Sequence, residues 1–138
     1  MATPDGKNAR LFYRAGLQRL DDARFLNEAA RTTAAVYLGG YSVECMIKAL
    51  ILSRVPEAQQ GQAMALFRGA RAHDFGWLMG QYTERGGQAM PRELSQDYAR
   101  VNTWRADMRY SPKVVKDYES AAFVASVVRI VKWADGRL

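Results

Sequence analysis

At 138 residues, 49% of them hydrophobic, the chain is long enough for one domain with a core of its own and needs no metal or crosslink to hold it. A formal charge of +6, carried by fifteen arginines and five lysines, leans toward phosphate-bearing partners, because a guanidinium presents a planar fork to phosphate and stacks on bases. One cysteine (Cys45) excludes an internal disulfide and fits a reducing cytoplasm, and with a single histidine it excludes a zinc site.

The start, MATPDGKN, has no basic stretch followed by an apolar run, so secretion is not expected, and residues 1–7 are predicted to be a poorly ordered lead-in. Helical spacing then dominates and strand alternation is nowhere sustained. The first helix is predicted over about residues 8–30, where Phe12, Gly16, Leu20, Ala23 and Ala30 repeat at three- and four-residue steps. Asp21 and Asp22 read as solvated helix surface. Thr32 or Thr33 is the expected N-cap of a second, central helix.

That helix is the most informative segment. From Ala34 to Leu52 only Tyr37, Tyr41, Ser42, Glu44 and Lys48 offer a polar side-chain atom. Nineteen such residues are enough to cross a bilayer, but Glu44 and Lys48 would each cost about 2.5–3.5 kcal/mol near its centre. At 100° per residue, Tyr37, Tyr41, Glu44 and Lys48 instead form one polar stripe on an otherwise apolar helix. The expectation is the buried central helix of a bundle, with no membrane contact and with a groove along the stripe. Gly39 and Gly40 cost about 1 kcal/mol each in helix propensity, so close packing of a neighbour must compensate. Pro56 places the helix end near Arg54. Cys45 reads as a small core residue.

Residues 57–73 are a Gln-, Ala- and Arg-rich connection, with a short helix ending at Gly69. Asp74 is placed to cap a third helix carrying Phe75, Leu78 and Tyr82, stopped by Gly86 and Gly87. Pro91 opens a fourth helix running to about Met108, and Ser111-Pro112 repeats the start signal for a last helix, whose face of Ala121, Val124, Ala125, Val128 and Val131 continues to Trp133. The predicted architecture is all-α, an antiparallel up-and-down bundle of four to five helices in one domain over residues 8–138.

In the fourth helix, Leu94, Tyr98, Val101 and Met108 would face the core with Arg105 in the middle of the stripe and Arg109 one turn on. A core-facing guanidinium needs a partner. Two readings stand: a salt bridge to Glu44, or a pair of arginines lining a groove for phosphate, with Trp104 and Tyr110 as stacking surfaces. Glu44 and Lys48 have the favourable i,i+4 order for pairing with each other. No glycine-rich phosphate loop occurs, and no cofactor is expected.

YLGGYSVECMIKALI, with HDFGWL after a connection and then WRADMRYSP, resembles the HEPN (higher eukaryotes and prokaryotes nucleotide-binding) domain family, over about residues 8–134. Tyr41, Glu44 and Lys48 carry the most specific part, with His73-Asp74 and Arg109-Tyr110 ahead of Pro112 adding to it. The resemblance implies an up-and-down helical bundle that dimerises. It also implies RNA binding or RNA cleavage, often beside a minimal nucleotidyltransferase antitoxin. Nuclease members carry Arg, four to six residues, then His, and metal-free cleavage explains the pair. Imidazole titrates near neutrality and moves protons, and a fixed guanidinium meets the phosphorane charge. Here Arg68 and His73 have that spacing but precede the third helix, and no histidine follows Arg105 or Arg109. The reading drawn is a non-cutting module that binds RNA or a nucleotide through Arg105, Arg109, Tyr110 and Lys113, with Tyr41, Glu44 and Lys48 behind them. The alternative is a metal-independent ribonuclease toxin using Arg68 and His73.

Overall fold

A computed structural model describes residues 3–138, apart from the side chain of Arg109. Six α-helices account for the regular structure, α1 Lys7–Glu28, α2 Thr32–Ser53, α3 Gln60–Ala63, α4 Phe75–Glu84, α5 Ser95–Val101 and α6 Asp117–Asp135, joined by short 3-10 turns and with no strand among the described residues. α1 and α2 pack antiparallel along their length, α6 lies against both, and α4 and α5 close the remaining sides.

α2 is long and apolar enough to cross a membrane, and here its neighbours cover it. Met46, Ile47, Leu50, Ile51 and Leu52 are fully buried, each contributing about 1.5–3 kcal/mol relative to exposure. Small residues set the helix spacing. Gly16 of α1 lies over Met46, and Ser42 donates to the Gly16 carbonyl at 2.7 Å. The adjacent glycines divide their work. Gly39 receives Phe123 and Val127 of α6, whereas Gly40 receives the Trp104 indole rather than a helix.

α1 ends two residues before the predicted limit, because Ala30 turns the chain at φ 61° and Arg31 N donates to the Leu26 carbonyl at 2.8 Å. At the other end, Pro4 and Gly6 are buried, Gly6 against the Gln60 side chain, while Met1 and Ala2 lie outside the described residues. Gln60, itself buried, accepts from Ala9 N at 3.3 Å and donates to the Leu52 carbonyl at 3.0 Å, satisfying polar groups at one end of both long helices.

Three expectations are corrected. Neither threonine caps α2. Arg31 holds the cap position, Thr32 donates to the Val115 carbonyl at 2.5 Å, and Thr33 accepts from Val115 N at 3.0 Å. Those bonds stretch residues 111–116 into a strap, so α6 starts at Asp117 rather than at Ser111-Pro112, and its buried face is Ser120, Phe123, Val124, Val127, Ile130 and Val131. Ala121, expected on that face, is exposed. The predicted fourth helix stops at Val101, because Trp104 turns inward against Gly40 instead of following the helical path.

α5 is held to α6 by Asp97, which is buried and accepts from Ser126 Oγ at 2.8 Å and from Arg129 Nη2 at 2.7 Å. The Arg129 bond, reinforced by Ser126 and by the charges of Arg129 and Arg100, outweighs burial and holds the Asp97 carboxyl below the usual carboxylate range. A lowered folded pKa gives stability that is present above the unfolded value, about 3.9, and fades as pH falls toward the folded one. Asp97→Asn should therefore lower the urea midpoint at pH 7, and the gap from the parent should close as the midpoint is followed into acid.

Candidate functional site

The polar stripe of α2 is present as two hydrogen-bonded pairs. Tyr37 and Tyr41 hydroxyls lie 3.3 Å apart, and Lys48 Nζ donates to Glu44 Oε2 at 2.8 Å. Glu44 and Lys48 are only 4% and 6% exposed, so neither can touch a large ligand directly. The ammonium is enclosed by rings as well, 5.7 Å from the centroid of Phe12 and 5.2 Å from that of Phe67.

Glu44's second oxygen is held by His73, with Oε1 at 2.7 Å from Nδ1. His73 ends the 3-10 turn Ala70–His73, which the chain enters through Gly69 at φ 84°. Asp74 caps α4 as expected, accepting from Trp77 N at 3.0 Å, which leaves His73 free to turn toward α2. A carboxylate against Nδ1 places the ring hydrogen there, so Nε2 is the ring's remaining basic atom. The His73 side chain is 43% exposed, and no described residue hydrogen-bonds Nε2. Lys48, Glu44 and His73 thus run from the protein interior to the surface.

Aromatic rings hold the adjoining wall. Trp104 stacks on Phe75 with centroids 5.5 Å apart and planes 4° apart, and donates from Nε1 to the Tyr37 carbonyl at 3.1 Å. Tyr41 meets Trp104 edge-on at 5.0 Å and His73 at 6.4 Å. Between these walls opens a cleft of about 480 Å³, lined by His73, Phe75, Asn102, Trp104, Arg105 and Asp107 among others.

Arg105 does not pair with Glu44, contrary to the salt-bridge expectation. Both Glu44 oxygens are taken, and Arg105 lies in extended backbone beyond α5, exposed on the cleft. The 3-10 turn Ala106–Tyr110, which Arg105 caps, replaces the expected α-helical turn between positions 105 and 109, and the Arg109 side chain lies outside the described residues. Arg68 is exposed in the link before Gly69 and does not line the cleft with His73. Tyr110 is 75% exposed, and Lys113 sits on the strap, beside a different cavity. The structure therefore joins His73 to Arg105, a pairing sequence spacing does not suggest, since they come from separate connections.

Cys45 is half-buried, and burial, aided by the Glu44 charge, pushes its thiol up to about 11, which suits a packing residue rather than a nucleophile. Among the described residues no three His, Cys, Asp or Glu side chains gather to hold a metal.

The arrangement defines a class: an all-α protein with an interior Lys–Glu pair supporting a surface imidazole beside an arginine. No family model, curated protein or solved structure matches the chain.

Proposed function

We propose that the chain is a HEPN-like helical module that binds RNA or a nucleotide, with phosphate meeting Arg105 and His73 in the cleft. The observation that carries this reading is their presence on one open cleft, with His73 fixed from behind by buried Glu44. The +6 charge and the arginine excess favour the same ligand class, and the Tyr41, Glu44, Lys48 stripe is the part of the chain most like that family. Arg109 and Tyr110, which follow Arg105 in the chain, belong to the same reading, whereas Lys113 lies beside a different cavity. A homodimer and a minimal nucleotidyltransferase partner in the cytoplasm belong to the same reading.

Titration of a labelled single-stranded RNA and of ATP tests it. Saturable binding should weaken with salt, log K falling by about 0.7 per phosphate neutralised on a single strand for each tenfold rise in salt. Absence of saturable binding to both at low salt would exclude the reading.

One observation favours cleavage instead. The Glu44–His73 contact orients an imidazole as a general base requires, able to take the 2′-hydroxyl proton while the oxygen attacks phosphorus and the 5′-oxygen leaves. The guanidinium in that reading is Arg105, because Arg68 lies off the cleft. RNA cleavage in chelator-containing buffer that vanishes in His73→Ala would replace the binding reading with this one.

A further inference from the structure

The larger of the two cavities beside Trp104 takes no part in the site described above. It encloses about 570 Å³ between the start of α2, the end of α5, the strap and the first turns of α6, within the usual range of about 300–1,000 Å³ for small-molecule sites. Its inner wall is apolar: Val36, Trp104, Met108, Val115 and Phe123. Three of its hydroxyls are already engaged, Thr33 by Val115 N, Ser111 by Lys113 N and Thr103 by the Arg100 carbonyl. Two of the three charged groups at the rim are also compensated. Arg100 donates to Ser126 and stands 4.0 Å from Asp97, and Glu119 sits in the first turn of α6, where the helix N-terminus favours a carboxylate. Lys113 is the remaining charge, exposed at the mouth and with no ion pair among the described residues.

We propose that this cavity binds an amphipathic small molecule, with its apolar body against Val36, Met108, Val115 and Phe123 and one anionic group at Lys113. Trp104 is a wall of both cavities, so its indole reports on occupancy.

Anilinonaphthalene sulfonate, an apolar ring system with one anionic group, is the probe, and the uncharged phenylnaphthylamine is its control. The sulfonate should bind the native chain saturably, with energy transfer from tryptophan that is reduced in Trp104→Phe. Lys113→Ala should weaken the sulfonate about three- to fivefold and leave the uncharged probe unchanged, as expected for one partly solvated charge contact. Ala122→Phe, which fills the cavity, should weaken both probes about tenfold or more, since it removes the space the rings occupy. Non-saturable binding, equal loss of both probes in Lys113→Ala, or undiminished binding in an Ala122→Phe variant of native helicity would overturn the proposal. Lys113 lies on an exposed strap, so its variant decides the matter even if Ala122→Phe does not fold.

Discussion

Glu44→Ala is expected to cost about 3–5 kcal/mol of folding stability, measured by urea unfolding at pH 7, because it leaves the Lys48 ammonium buried with no carboxylate. The pair itself is a weaker source of stability than that figure suggests. Much of its attraction is offset by the cost of taking both charges out of water, so Glu44→Leu combined with Lys48→Met should recover most of the loss. The two variants separate stability from function. The double variant should fold and yet leave His73 without its Nδ1 partner, so the NMR signals of the single imidazole ring should move. If Glu44→Ala were as stable as the parent, the buried pairing of Glu44 with Lys48 would be wrong.

Gly40→Val should be nearly as damaging, at about 3 kcal/mol or more, because a side chain there enters the space of the Trp104 ring. To make room the indole must give up its stacking on Phe75 and its hydrogen bond to the Tyr37 carbonyl. Expulsion should appear as a red shift of tryptophan emission together with the lost stability. Gly80, on α4, is the contrasting position, since a Cβ there meets nothing within 4 Å. Gly80→Ala should be neutral or stabilising by up to about 1 kcal/mol through helix propensity alone. Equal behaviour of the two substitutions would mean that Gly40 is not the seat of Trp104.

These positions also mark where sequence reading succeeds and where it stops. α1 and α2 were legible to within a few residues because periodicity and composition act locally, and the Tyr37, Tyr41, Glu44, Lys48 stripe follows from helix geometry alone. The Asp74 cap was legible for the same reason. The break at the end of α5 was not. Local propensity favours continuing the helix, and what stops it is a tryptophan finding a notch at Gly40, 64 positions earlier in the chain. The strap escaped notice similarly, since Thr33 holds it by hydrogen bonds across about eighty residues of chain. His73 presented the same difficulty. Its spacing from Arg68 suggested one pairing, whereas the folded connection brings it to Glu44 and to the cleft shared with Arg105.

The most direct test is the affinity of a labelled single-stranded RNA for the parent chain and for Arg105→Glu, measured side by side at low and moderate salt. Arg105 is exposed and outside every helix, so the substitution should leave helicity and the urea midpoint unchanged. The account predicts saturable binding by the parent and a loss of about tenfold or more in the variant, as a phosphate contact is replaced by a repulsion. Equal affinity in a correctly folded Arg105→Glu variant would contradict it.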